Sequence, residues 1–267
     1  MEIQMWREVL IPYQQAVSEL ELKFESIIIE NRKLGKYSPI ELVDGRVKRI
    51  SSILEKAKKK QIPLSRIEED IEDIAGIRII CQFVEDINTV VELIRSRSDM
   101  TIKFEKDYVS NKKDSGYQSY HMIVYYTVHT ALGPKRVQAE IQIRTLAMNF
   151  WATIEHSLKY KYKHNIPTEI QNRLIKAALA AHNLDQEMSK IRSEIMDAQD
   201  NFQFKSSIIA DILNSIQNIR IASNNELEIA QIQEEFYKIW ETGNLDKLLS
   251  FSKQLDIIAE RYKAQSL

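Results

Sequence analysis

Two acidic residues, Asp73 and Glu140, stand where paired carboxylates could be built into a site. Glu140 lies in Lys135–Thr145, where apolar Val137, Ala139, Ile141 and Ile143 alternate with polar Gln138, Glu140, Gln142 and Arg144. Alternation with a period of two predicts a strand with one polar face. Asp73 heads a second stretch, Asp73–Phe83, whose β-branched residues predict a mostly buried strand interrupted by Arg78. A charge inside such a run needs a partner or a ligand. An ion pair with Asp73 and a place at a site both satisfy that need. The third piece is Lys106-Asp107-Tyr108 followed by Lys112–His121, a cationic turn containing Gly116 that leads into a strand running through Val128. Such a loop can set lysines beside phosphates and an aromatic face under a base. Taken singly, Tyr117 reads as a packing aromatic, His121 as a structural histidine and the polar strand face as solvated surface. Their conjunction with two carboxylates and several cations within Asp73–Thr145 points to phosphate transfer between nucleotides.

Positioning these groups requires a framework, and the periodicity supplies one. Trp6, Leu10, Tyr13, Val17, Leu20, Phe24 and Ile27 fall on one stripe of a long N-terminal helix. Gly35 and Pro39 break it within Lys33–Asp44, and a second helix is predicted from about Arg46 to Lys60, ending before Pro63. Helices over Asp86–Arg97 and Leu146–Lys163 alternate with the strands. A further long helix starts at Pro167 with Leu174, Leu179, Leu184, Met188, Ile191 and Ile195 on its apolar series. The fold class is α/β (α+β): a mixed sheet of about five strands flanked by helices. Residues 1–204 form one domain, with a core over about 40–165, and residues 205–267 form a helical extension of two amphipathic helices joined at Gly243-Asn244. That extension holds no pattern of chemistry.

Composition narrows the class of molecule. Over 267 residues, 44% hydrophobic and 28% charged residues with a formal net charge of -1 describe an ordinary globular chain with no general attraction to nucleic acid. Anion binding must come from local clusters. The single cysteine, Cys81, falls in an apolar strand and reads as a buried structural thiol in a reducing compartment. No apolar run spans a bilayer, and Glu2, Arg7 and Glu8 do not suit a signal peptide, so the expectation is a cytoplasmic protein with no membrane partner.

Five motifs together resemble one family. Gly45-Arg46-Val47-Lys48, Asp73-Ile74-Ala75-Gly76-Ile77-Arg78, Ser115–His121, Glu140–Thr145 and Trp151–His156 follow the order and spacing of RelA/SpoT-type alarmone synthetase domains, most like the small single-domain synthetases. The resemblance covers roughly residues 1–200. It implies a nucleotidyltransferase-like fold that moves the β,γ-pyrophosphate of ATP to the ribose 3′-oxygen of GDP or GTP, with GMP as a further acceptor, giving (p)ppGpp and AMP. It implies Mg²⁺ held by Asp73 and Glu140, with Glu140 also accepting or orienting the proton of the 3′-hydroxyl. Arg46 and Arg78 would stack on the ATP adenine, a task for a planar guanidinium. Lys48 and Lys56 would face the ATP phosphates; on its own, Lys56 reads as part of a solvated basic helix end. Tyr117 would stack on the acceptor's base, Lys106, Lys113 and His121 would hold its 5′-phosphates, and Asn149 would read the guanine edge. The resemblance further implies a homotetramer, and single-stranded RNA is retained as a regulator.

Two rivals stay open on the residues. The same transfer could use an adenine nucleotide or an RNA 3′ end, because stacking on Tyr117 tolerates any base. A non-catalytic nucleotide or RNA sensor is the other, against which the presence of both Asp73 and Glu140 argues. Glu19, Glu21 and Glu25 on the first helix predict weak or absent activation by a polyphosphate product.

Overall fold

A computed structural model of the chain describes residues 2–161, 167–222 and 225–265. It divides into two compact units, Met1–Lys190 and Ile191–Leu267. In the first, helix α1 (Glu2–Lys33) precedes β1 (Leu42–Val47), α2 (Ile50–Lys60), a 3-10 turn (Leu64–Arg66), the short α3 (Ile67–Asp70) and β2 (Ala75–Cys81). Then come α4 (Val84–Arg95), β3 (Met100–Asp107), β4 (Tyr120–Thr130), β5 (Gly133–Thr145), α5 (Leu146–Lys161) and the start of α6 (Thr168–Ala222).

The five strands form one sheet in the order β1-β2-β5-β4-β3, and the expected mixed sheet is observed. The pair β2 and β5 runs parallel, and the other neighbours are antiparallel. Strand alternation sorts the side chains. Val43, Ile77, Ile79, Ile141, Ile143, Met122 and Val124 are buried on one face, in a core shared with Tyr13, Val17, Leu20 and Phe24 of α1 and Ile87, Val90 and Ile94 of α4. Leu20 and Phe24 are 0% exposed, and each such side chain contributes about 1.5–3 kcal/mol of burial. The opposite face carries the polar half of the alternation.

Two sequence expectations need correction. Arg46 and Val47 lie on β1, not at a helix start, because Leu42–Val47 pairs residue for residue with β2 and α2 begins only at Ile50. The acidic residues of α1 make contacts within the fold. Glu21 Oε1 accepts the Gly45 N–H at 2.9 Å, and Glu19 accepts from Gln15 Nε2 and from the Tyr126 hydroxyl, each at 2.7 Å. Gly45 permits this approach, since a Cβ there would lie 2.6 Å from Val17 Cγ1. The helix after Thr168 also runs unbroken for 55 residues, well past Ile195. Lys163, the predicted end of the preceding helix, lies outside the described residues.

In the second unit, Ile208, Ile212, Ile216 and Ile219 of α6 pack with Ile232 and Phe236 of α7 (Glu226–Thr242) and with Leu248, Phe251 and Leu255 of α8 (Leu245–Gln265). Gly243, at φ +66°, ends α7 in the left-handed conformation a glycine favours, and Asn244 Oδ1 accepts the Lys247 N–H at 3.1 Å to start α8. The Gly-Asn joint between two helices is as the sequence predicts. No described helix is long and apolar enough to cross a membrane.

Candidate active site

Asp73 sits two residues before β2 and is held by two ammonium groups. A backbone bond from Lys48 N to Ile74 O, 2.8 Å, draws the end of β1 against the start of β2. Lys48 Nζ then lies 2.7 Å from Asp73 Oδ2, and Lys56 Nζ, delivered by α2, lies 2.8 Å from Oδ1. Burial alone would raise the Asp73 pKa, but the two lysines outweigh it and hold the carboxyl below its ordinary value. The alternative Arg78–Asp73 pair is therefore not formed. Arg78 Nη1 instead reaches Asp44 Oδ2 at 3.4 Å, and its buried Nε has no partner among the described residues.

Arg46 opposes Gly76 across the β1–β2 ladder, and a Cβ at Gly76 would lie 3.7 Å from Arg46 Cγ, so the arginine stem runs over the glycine. Gly76 in turn opposes Glu140 on β5. The result is one cleft lined by Asp44, Arg46, Asp73, Arg78, Glu140 and Gln142. Three carboxylates and two guanidinium groups thus share a surface on the sheet.

Beside this cleft, five side chains close a ring of hydrogen bonds. The Tyr117 hydroxyl lies 2.9 Å from His121 Nε2, and His121 Nδ1 lies 2.9 Å from Glu140 Oε1. Gln142 Nε2 donates to Glu140 Oε2 at 2.8 Å, Arg144 Nη2 donates to Gln142 Oε1, and the same Nη2 donates to the Tyr117 hydroxyl at 3.0 Å. Register explains the grouping: His121 opposes Gln142 on β4–β5, and Glu140, Gln142 and Arg144 point the same way along β5. Burial pushes the Glu140 carboxyl up and the charge of Asp73 adds to it, but the donors His121 and Gln142 bring it below the usual carboxylate range. Burial raises the Tyr117 phenol and lowers the Arg144 guanidinium from their ordinary values.

The loop before β4 presents Tyr117 to this surface. Gly116 takes φ +83°, and a Cβ there would lie 2.5 Å from Ala178 Cβ on α6, so only glycine fits. Lys113 Nζ lies 4.1 Å over the Tyr108 ring and 5.0 Å over the Tyr117 ring. Lys106 opposes His121 on β3–β4, with Nζ 4.7 Å over the Phe104 ring. Trp151 and Ala178 pack with Tyr117, and Trp151 Nε1 donates to Leu174 O at 2.9 Å. Asn149 stands one turn into α5 with a buried Oδ1 that has no partner among the described residues.

The sequence-named residues fall into these groups: Asp73 with Lys48 and Lys56, Arg46 and Arg78 with Glu140 in the cleft, and Tyr117 with His121 and Lys113. Lys106 is linked through the ladder to His121, and Asn149 stands apart on α5. Asp44, Gln142 and Arg144 join the site without having been singled out. The last two were signalled by the alternation that exposes Glu140, since residues two and four positions along a strand share its face.

Comparisons with known proteins agree with this geometry. A profile of a region found in RelA / SpoT proteins matches residues 45–165. The chain is 52% identical over 205 residues to the GTP pyrophosphokinase YjbM of Bacillus subtilis, covering 77% of this chain and 97% of that protein. It is 39% identical over 192 residues to the GTP pyrophosphokinase YwaC of the same organism, covering 71% and 91%. The crystal structure of small alarmone synthetase 1 from Bacillus subtilis bound to its product pppGpp matches with a TM-score of 0.70 at 53% identity, over 72% of this chain and 98% of that one. The same synthetase bound to AMPCPP matches with a TM-score of 0.65 at 50% identity, over 73% and 99%. The sheet, the motifs it aligns and this similarity lead to one conclusion: the chain belongs to the RelA/SpoT family, among its small alarmone synthetases.

Proposed function

We infer that the chain is a GTP pyrophosphokinase that transfers the β,γ-pyrophosphate of ATP to the ribose 3′-hydroxyl of GDP or GTP, with GMP as a further acceptor, forming (p)ppGpp and AMP. The observation that carries this reading is that Asp73 and Glu140 line one cleft, with a lysine pair on one side and the Tyr117 loop on the other. In-line transfer needs charge neutralisation and alignment more than covalent chemistry. Lys48 and Lys56, now on Asp73, suit the ATP phosphates, and Arg46 and Arg78 suit its adenine. Tyr117 offers a face to the acceptor base, while Lys106, Lys113 and His121 lie on the side of its 5′-phosphates. Asn149 Oδ1, without a partner among the described residues, is an acceptor, which matches the N–H donors on the guanine edge.

The donor set also fits Mg²⁺. Asp73 and Glu140 are hard oxygen ligands, and this ion is ordinarily held by one or two carboxylates together with water and substrate phosphates. Bound there, it would neutralise charge on the transferred group. Glu140, its carboxyl held ionised, is the group to take or orient the proton of the 3′-hydroxyl. The transfer is assigned to residues 1–204, with 205–267 as a helical extension.

Assembly into a homotetramer is supported by an apolar groove of about 740 Å³ on the first unit, lined by Phe83, Leu146, Phe150, Trp151, Leu184 and Met188. Phe150 is 68% exposed and Leu184 56%, a surface a second copy would cover. A buried free thiol at Cys81 suits the cytoplasm. Single-stranded RNA remains a candidate regulator through the exposed lysines beside Phe104 and Tyr108.

The test is product analysis with Mg²⁺, γ-labelled ATP and GMP, GDP or GTP in turn. Label moving to the guanosine nucleotide, with AMP formed and Glu140→Gln silent, is the expected result. Transfer to an adenine nucleotide or RNA instead would reassign the acceptor, and no transfer at all would leave only a binding role.

A further inference from the structure

Resting on the transfer reading above, we propose that Gln142, Arg144 and the Tyr117 hydroxyl are positioning groups: their ring of hydrogen bonds with His121 aims the Glu140 carboxylate and ties that aim to the residue on which the acceptor base sits.

With a neutral imidazole at His121, donor and acceptor chemistry gives every bond in the ring one direction. A guanidinium only donates. Arg144 Nη2 therefore gives hydrogens to the Tyr117 oxygen, 3.0 Å away, and to Gln142 Oε1. The single Tyr117 proton is left to point at His121 Nε2, 2.9 Å distant. That makes Nε2 the acceptor, so the imidazole proton resides on Nδ1 and is donated to Glu140 Oε1. On the other branch, the Gln142 amide can turn only one way. Flipped, it would set its NH₂ against the guanidinium and its oxygen against the carboxylate. As it stands, Nε2 donates to Glu140 Oε2 at 2.8 Å. Each carboxylate oxygen thus receives one donor and keeps lone pairs for the reacting hydroxyl or an ion.

Both branches start from one charge. Arg144 is 4% exposed, and among the described residues no carboxylate lies within ion-pair distance of it. A guanidinium buried with no carboxylate in direct contact costs stability, so an aligning role gives its presence a physical reason. Tyr117 is where the ring meets the acceptor. Its ring face and its hydroxyl then have separable tasks, one in stacking and one in alignment.

The separation defines the experiment. Tyr117→Phe keeps the face and removes the hydroxyl, and Gln142→Leu opens the other branch. Arg144 itself is left in place because its burial would confound folding. In steady-state transfer from ATP to GDP, each variant should lose roughly 10- to 100-fold in kcat, as outer hydrogen-bond partners of a reacting group typically do, with the GDP KM changed by less than about twofold. GDP binding measured by calorimetry should match wild type, and thermal melting should show both variants folded. Because both variants open the same ring, the double variant should be no slower than the slower single one. Tyr117→Phe with wild-type kcat at saturating GDP overturns the proposal, as does a double variant whose losses multiply. A Tyr117→Phe protein that loses GDP affinity but not turnover overturns it too, assigning the hydroxyl to binding. A wild-type protein that makes no (p)ppGpp overturns the transfer reading, and this inference with it.

Discussion

The sheet-bearing unit, Met1–Lys190, and the helical unit, Ile191–Leu267, bury different things. In the first, Arg144, Asp86, Asp185, Gln118 and Gln138 are buried along with the apolar core. In the second, the buried side chains among the described residues are apolar, from Ile208 through Phe236 to Leu255. An apolar core is the cheapest way to hold helices together, because no group needs a partner. A buried charge or amide must be satisfied at each step, and it persists where orientation matters. The contrast separates a unit that buries polar and charged groups within its core from one whose described core is apolar.

The sharpest break in that contrast is Glu140→Gln. It keeps the shape and removes the carboxylate proposed as base, and should lower transfer by about 10²- to 10⁴-fold in a single-turnover assay. Asp73→Asn should follow it, with Lys48 and Lys56 left facing a neutral amide. On the other side of the comparison, Leu248→Ala removes a fully buried side chain of the helical core, and calorimetry should show that unit destabilised by about 2–5 kcal/mol. Transfer measured below the transition should remain at the wild-type rate. Equal damage to both readouts would erase the distinction between the units.

A smaller effect is expected from Tyr117→Ala. Loss of base stacking should weaken acceptor binding by about 1–3 kcal/mol, measured as Kd for GDP. The smallest concerns Asp185, whose carboxyl burial raises to about 6, while the Thr145 hydroxyl donates to it at 2.6 Å. A folded-state pKa above the unfolded value means that stability falls as pH rises from the unfolded pKa through about 6, and stays lowered above it. Asp185→Asn keeps an acceptor for Thr145 and cannot ionise. It should therefore melt higher than wild type at pH 8, with the gap narrowing toward pH 5. A gap independent of pH would show that the Asp185 charge is not what costs stability.

Much of this arrangement was legible in the sequence because strand alternation is a local signal. It put Glu140 on a polar face, and the same signal reaches Gln142 and Arg144. The pairing of Asp73 with Lys48 and Lys56 was not legible, since it depends on β1 lying beside β2, and Arg46-Val47 read as a helix start next to a basic helix. Pairing between strands separated by a whole helix is non-local, and residue order alone does not reveal it. The contacts of the α1 acids were not legible for a related reason. Glu21 reads as a surface charge until β1 brings the Gly45 N–H to it.

The contact between Gly116 and Ala178 limits how freely this loop can be exchanged. At 116 any side chain would be both strained and in collision with the Ala178 methyl on the helix opposite. Transplanting this loop from a relative, or randomising it in a library, will succeed only when the helix opposite travels with it; sterically the two positions behave as one part.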